Sequence, residues 1–385
     1  MKKLLIITDL FPDKYIPNSE VFVQHQVNEM AKSFEVRVIA TRLKHKLSIE
    51  EDYKNGYRVT YLYMPYIKHV FFSLICSYHI YAIPRINRVI REWKPDIIHV
   101  HDFKHVPELF QLNYYLKKYN IPRYLSVHNL RTHITMVKTL CLSWFYRMTF
   151  HGAYSGWNHI FTVNDNIKEI ISRDANVTKI SNIGNAIGPV PELPEEQIGA
   201  YRNQLKVNSF KIISVGNLKL EKGFSLLIKA VDLLIQKKYD IQVCIIGKGE
   251  EQESLISDIK SMGLTGNFIL TGDLSNAQVR NLYSLFDAFV LPSYSESFGV
   301  VYIEAMYAGL LTVGVKGQGI DGVIKHGING FLVNPQDVTD LAENIEYIIK
   351  NKEIVKEIAL KGQKLIRDEY LLLQLIERIT KEYEE

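Results

Sequence analysis

Two glutamates eight positions apart, Glu296 and Glu304, enclose Ser297-Phe298-Gly299-Val300-Val301-Tyr302-Ile303. The preceding run Ala288-Phe289-Val290-Leu291-Pro292 reads as a buried strand closed by a proline. After Gly299 the spacing turns helical, with Val300, Ile303 and Met306 on one face. The stretch therefore predicts a strand, a short loop and a helix start. Gly299 has no Cβ, so the backbone can come close to a ligand. The first amides of a helix have no internal partner and carry the positive end of its dipole, a cradle for an anion or a hydroxyl-rich ligand. Glu296 falls on the loop. Glu304 lies about 12 Å further along at helical rise, so two acids could hold two ends of one elongated ligand. An ordinary strand–helix turn with a solvated glutamate has the same pattern.

Other polar residues occupy similar addresses. Lys222 follows a strand and loop and precedes a helix, and its charge suits a phosphate. Loops at the carboxyl edge of one sheet can converge on one ligand. Gly247-Lys248-Gly249 is a weak hint of a phosphate loop. It lacks both the Walker pattern and the dinucleotide fingerprint. His101 and His128 stand at the ends of apolar runs, where a cleft would be, although a lone histidine there is more often structural. No histidine or cysteine pair has metal-ligand spacing, so no metal is expected.

The elements that must position these residues alternate along the chain. Residues 4–8 and 36–40 read as strands around a helix from Val21, and Pro95–Asp102, Tyr124–Asn129 and His159–Asn164 as three more strands. Asn164 or Asp165 would cap the next helix. Residues 188–208, opening on the Pro-rich 188–196, read as a linker. Alternation then restarts: strands at 210–216, 241–247, 268–271, 288–292, 312–315 and 330–333, helices at 224–236, 277–286, 337–350 and 352–367. That is α/β alternation, twice over.

Length and composition agree. The 385 residues suit two or three domains, and 47% hydrophobic with 23% charged residues is ordinary for a globular chain. Cys76, Cys141 and Cys244 are few, odd in number and scattered, which suits a reducing compartment. The apolar stretch after Lys2-Lys3 ends at Thr8-Asp9, too short for a signal peptide, and no run is long enough to span a membrane. We therefore expect a cytoplasmic protein, possible at the inner membrane surface. The net charge of +4 is uneven: residues 1–190 carry 25 basic against 15 acidic side chains. A basic half points to an acidic partner. The aromatic and basic residues of 64–91 (among them Tyr66, Lys68, Phe71, Phe72, Tyr78, Arg85 and Arg88) read as a core helix with a solvated face, or as a surface for a membrane or lipid-linked substrate.

The motifs together resemble those of the family 4 retaining glycosyltransferases. Glu296 to Glu304 with Ala305-Met306 looks like the family's pair of glutamates with seven residues between them. Val215-Gly216-Asn217-Leu218 with Glu221-Lys222-Gly223 is similar to its VGRL…EKG loop. Asp287 to Ser293 and His326 to Val333 match two further signatures, and Pro95 to His101 and Ser126-Val127-His128 match in the first half. The resemblance implies the GT-B fold: two doubly wound, Rossmann-like domains facing a central cleft. The first would span 1–187 and bind acceptor. After the 188–208 linker, the second would span 209–366 and bind a nucleotide sugar. Residues 367–385 would form a terminal helix crossing back to the first domain.

It also implies roles. Lys222 would neutralise the donor diphosphate, with Gly216, Asn217 and Gly247 lining the same loops. Glu296, Ser297 and the amides of Phe298, Gly299 and Val300 would hold sugar and diphosphate. Glu304 would take the ribose hydroxyls, and Gly272 to Leu274 would meet the base. His128, with Asn18, Ser19, His101 and Asn129 on the acceptor side, would complete the site. Glu296, Lys222 and His128 would be catalytic. No cofactor or metal is implied, only a nucleotide-sugar donor and a glycan or lipid-linked acceptor, in cell-surface polysaccharide synthesis and without nucleic acid. Three residues depart from the family: Asn217 for an arginine, Asn18-Ser19-Glu20 for a glycine pair, and Asn185-Ala186 for Asn-Gly. A nucleotide-sugar epimerase of the same fold and a non-catalytic partner that binds sugar nucleotide are the alternative readings.

Overall fold

The computed structural model describes residues 1–9, 11–16, 21–66, 76–101, 103, 105–130, 143–175, 177–189 and 193–384. Asn18, Ser19 and most of the aromatic residues of 64–75 lie outside them. The chain divides into two compact units, Met1–Gly184 with Leu372–Glu385, and Asn185–Leu371.

The first unit contains β1 (Lys3–Thr8), α1 (Val21–Met30), β2 (Glu35–Lys44), β3 (Ser48–Lys54) and β4 (Tyr57–Pro65). A π-helical turn at Tyr78–Ala82 leads into α2 (Ile83–Trp93). Then come β5 (Ile97–His101), α3 (Val106–Leu116), β6 (Arg123–Val127), α4 (Ser143–Tyr154), β7 (His159–Thr162), α5 (Asp165–Ala175) and β8 (Ile180–Asn182). The sheet order is β3-β4-β2-β1-β5-β6-β7-β8, parallel except for β3 against β4. Strand order reverses between β1 and β5, so the loops after those strands flank a switch point. Asn164 caps α5, its Oδ1 accepting from the Ile167 amide at 2.7 Å.

The second unit holds α6 (Glu195–Arg202), β9 (Phe210–Val215), α7 (Phe224–Gln236), β10 (Ile241–Ile246), α8 (Gln252–Ser261), β11 (Phe268–Gly272), α9 (Asn276–Leu282), β12 (Ala288–Val290), α10 (Val300–Tyr307), β13 (Leu311–Val315), β14 (Phe331–Val333), α11 (Val338–Lys350) and α12 (Lys352–Glu369). Its order is β11-β10-β9-β12-β13-β14, all parallel. Every residue of β10 and β12 is buried, as a strand covered on both faces requires. The switch point lies between β9 and β12, whose following loops carry Lys222 and Glu296.

Several expectations shift. The boundary falls after Gly184, and α6 occupies the stretch read as linker. The hairpin β3–β4 and strand β8 add to the expected sheet. The hairpin turn, Asn55-Gly56 with φ of 45° and 86°, is a tight-turn signal present in the sequence. α12 continues to Glu369, so the segment that rejoins the first unit is α13 (Leu372–Glu382). Leu375, Ile376, Ile379 and Tyr383 are buried there. Tyr124 donates to the Glu382 carbonyl at 2.8 Å, and the Tyr383 hydroxyl meets His99 Nδ1. Each buried apolar side chain of this segment contributes about 1.5–3 kcal/mol. Ending the chain at Leu371 should therefore open the first unit to proteolysis and amide exchange while leaving exchange in β9–β14 unchanged.

Candidate active site

The turns after β9 and β12 are joined by backbone and side chain. Lys222, closing a 3-10 turn, pairs through Nζ with Glu296 Oε2, both side chains mostly buried at 19% and 16% exposure. The Tyr294 amide and Ser293 Oγ donate to the Glu221 carbonyl at 3.0 and 3.2 Å. Each turn is thereby fixed against the other. The turn after β13 braces the same loop: Gln318 Oε1 accepts from the Glu296 amide at 2.9 Å, and the Gly319 amide donates to the Glu296 carbonyl at 3.0 Å.

α10 begins at Val300, with Gly299 at φ +82° as its N-cap. Helical rise thus applies only from Val300 onward, so the spacing expected for a continuous helix does not carry over to the two glutamates. The buried face of α10 is Tyr302, Ile303, Glu304, Ala305 and Met306, and Val300 is half-exposed. Tyr302 anchors the loop by donating to the Leu291 carbonyl at 2.7 Å. Phe298 is buried, 6.3 Å from the Tyr370 ring, so its side chain packs while its amide sits beside the helix start.

Glu304 is a buried carboxylate, 7% exposed. Burial raises its pKa, opposed by Asn276, whose Nδ2 donates to Oε1 at 2.9 Å, and by the charge of Arg280. Asn276 and Arg280 lie one turn apart on α9, whose start is capped reciprocally by Ser275 and Gln278. Gly272 ends β11, and Leu274 sits on the loop leading into this helix. Gln318, Asn276 and Arg280 were not among the expected site residues. The polar loop before α9, Gly272-Asp273-Leu274-Ser275, was the one signal that could have drawn attention to the helix behind it.

Gly216 follows β9 and Asn217 is exposed beside it. Gly247 serves packing: its φ is +142°, and a Cβ there would lie 2.0 Å from the Gly216 carbonyl oxygen. It is required because the turns after β9 and β10 touch through their backbones, a sufficient reason without any phosphate.

In the first unit His101 and His128 come together. Their rings stack with centroids 5.5 Å apart, and His101 Nδ1 lies 3.2 Å from His128 Nε2, one nitrogen donating and the other accepting. His99 stacks on His101 at 4.7 Å and meets Ser126 Oγ at 2.8 Å. Burial pushes His99 and His128 down to about 3 and His101 well below the usual imidazole range. All three are therefore neutral at pH 7. Asn129 follows on the surface. Among the described residues no group of three or more His, Cys, Asp or Glu side chains is placed to hold a metal ion.

Residues 199–365 match the family described as glycosyl transferases group 1, and residues 19–189 match Glycosyltransferase Family 4. An uncharacterized glycosyltransferase of Haemophilus influenzae is 30% identical over 52% of this chain and 54% of its own. A capsular polysaccharide biosynthesis glycosyltransferase, CapM, of Staphylococcus aureus is 27% identical over 55% of this chain and 57% of its own. The chain thus spans about half the length of the curated relatives it matches. The structure of Anabaena HepE in complex with UDP and glucose superposes with a TM-score of 0.70 at 18% identity, over 99% of each chain.

Two predictions follow from the geometry. A Cβ at Gly319 would lie 2.0 Å from the Ser297 carbonyl oxygen. Gly319→Ala should displace the 296–298 loop, cost roughly 1–3 kcal/mol in denaturant unfolding and shift the Glu296 amide in NMR spectra. The neutral histidines make the first unit acid-labile. Their folded pKa values lie below the unfolded value of 6.5, so the unfolded state binds more protons between about pH 6.5 and 3. Stability of this unit should fall across that window, and His128→Phe should flatten the loss.

Proposed function

The chain belongs to the family 4 glycosyltransferases of GT-B fold, and from that premise we propose that it moves a sugar from a nucleotide-sugar donor to a glycan or lipid-linked acceptor, with retention and without metal, in cell-surface polysaccharide assembly. One observation carries the reading: Lys222 and Glu296 are held together at the switch point, beside the start of α10. Cleaving the anomeric bond drives charge onto the diphosphate. A lysine and helix-end amides placed there would stabilise the leaving group, the part a divalent cation plays elsewhere. The Lys222 ammonium has three protons, and its bond to Glu296 uses one. Glu296 is bound to Lys222, so we assign it to orienting the sugar and the lysine; attack from the departing diphosphate's own face then gives retention without a covalent intermediate. Glu304 is assigned to the ribose hydroxyls, and His128 to a sugar hydroxyl as a neutral hydrogen-bonding group.

The polysaccharide context is supported by the relation to the capsular enzyme, and a uridine donor by the ligands named for the Anabaena structure. An acceptor at an anionic membrane surface is supported by the basic first half and by exposed Ile80 and Tyr114, the latter one turn from Lys117 and Lys118. Among the described residues no helix is long and apolar enough to cross a membrane.

A panel of UDP-, GDP- and ADP-sugars should contain one that raises the unfolding midpoint, since a ligand bound only by the folded state stabilises it. With that donor, Lys222→Ala should lose on the order of 10²-fold or more of transfer while keeping its unfolding midpoint within a few degrees. Full activity in the variant would remove lysine from the mechanism. A changed sugar configuration without acceptor would mark an epimerase instead.

A further inference from the structure

The hydrogen bond between His101 and His128 leaves one nitrogen of each ring unpaired. His99 and His101 are two apart on β5, so both rings stand on one face of the sheet. His99 is held at both nitrogens, Nδ1 by the Tyr383 hydroxyl and Nε2 by Ser126 Oγ at 2.8 Å. Its ring lies 4.7 Å from that of His101 and within 15° of parallel, which fixes the second ring against the first. His101, with no exposed surface, then reaches His128, the residue after β6. The contact runs from Nδ1 to Nε2 at 3.2 Å, with ring planes within 2° of each other. Phe22 packs against the His128 ring, centroids 4.8 Å apart. Among the described residues, His101 Nε2 and His128 Nδ1 are buried without a hydrogen-bond partner.

Both rings are neutral at pH 7, so the pair has two arrangements. If His128 donates from Nε2, His101 carries its proton on Nε2, an unpaired N–H on a fully buried residue. If His101 donates from Nδ1, the unpaired N–H is that of His128 Nδ1, on a residue that is partly exposed. An orphaned donor costs its desolvation, and that cost is smaller where water or a ligand can approach. The second arrangement is therefore favoured. We propose that His101 is a positioning residue: it donates to His128 Nε2 and so holds His128 as its Nδ1–H tautomer, an N–H for a hydroxyl oxygen of the donor sugar. Which nitrogen of a histidine carries the proton is set by the bond the other nitrogen makes. The inference rests on the donor-site reading for the sugar; the tautomer is a property of the chain without donor.

Nitrogen NMR of the full chain, labelled at histidine, tests it, since protonated and bare ring nitrogens resonate far apart. Near pH 7 the His128 signals, identified by their loss in His128→Gln, should show Nδ1 protonated and Nε2 bare. His101→Phe keeps a ring against His99 but has no N–H, and His128 should move there toward the Nε2–H form that a free neutral histidine prefers. His101→Asn, whose amide can donate where the imidazole did, should restore the Nδ1–H form. With a sugar nucleotide that raises the unfolding midpoint, transfer should fall between roughly 10- and 100-fold in His101→Phe and recover in His101→Asn, as partners that orient a functional imidazole commonly show. A merely structural His101 would lower the midpoint without exchanging the two nitrogen signals. An Nε2–H signal for His128 in the unsubstituted chain overturns the proposal, as does an unchanged tautomer in His101→Phe. Full transfer in a His101→Phe chain whose tautomer has changed overturns the role toward the sugar. Should that variant fail to fold, the unsubstituted spectrum decides: Nδ1–H supports the proposal and Nε2–H overturns it. None of these spectra needs a donor, so full activity in Lys222→Ala would leave them standing and the two readings fail separately.

Discussion

The ion pair between Lys222 and Glu296 is the contact on which the second unit's carboxyl edge depends. It joins two turns that are distant in sequence and adjacent only because strand order reverses between β9 and β12. An exposed pair of this kind is worth little. This one is mostly buried, two bonds to the Glu221 carbonyl hold the same turns in register, and two more brace the Glu296 loop from the turn after β13. The charges are therefore fixed before any ligand arrives. Preorganised charge is what a reaction that builds up negative charge can use, because no reorganisation is needed as the bond breaks.

Close backbone approach makes that fixing possible. The turns after β9 and β10 touch through Gly247, and the turn after β13 presses on the 296–298 loop through Gly319. Where main chains meet at this range a side chain cannot intervene, so the carboxyl edge is set mainly by peptide geometry. The first unit reaches a rigid edge differently. His99 and His101 on β5 and His128 after β6 stack or hydrogen-bond in a row that Tyr383 meets edge-on, all uncharged at neutral pH.

The alternation of strands and helices was legible in the sequence because buried parallel strands are apolar throughout and their helices keep a 3.6-residue period. Helix α7 and strands β9 to β13 fall where that pattern puts them. The hairpin β3–β4 was missed because Glu50-Glu51-Asp52 is too polar to read as a strand, although Asn55-Gly56 marks its turn. The linker reading failed at α6 because prolines at 189, 191 and 194 precede the helix without continuing into it. Of the site, Lys222 and the glutamate pair were legible through spacing. Gln318, Asn276 and Arg280 were not, since each acts through a partner that only the fold brings near.

Spacing also could not reveal that the two glutamates differ in kind. Glu296 keeps a lysine against its carboxylate and stays near the surface of the loop. Glu304 sits inside, where burial favours the protonated form and an amide and a guanidinium oppose it. Identical side chains eight positions apart thus meet opposite electrostatic problems. At Glu296 the anion is stabilised by the cation that would also meet the diphosphate, so ligand and carboxylate draw on the same ammonium. At Glu304 burial disfavours the anion, and the Asn276 hydrogen bond and the charge of Arg280 favour it. In the proposed reading an anionic ligand would share Lys222 with Glu296. On the same reading that asymmetry would put the phosphate end of a donor at the turn after β9 and its hydroxyl end at α10.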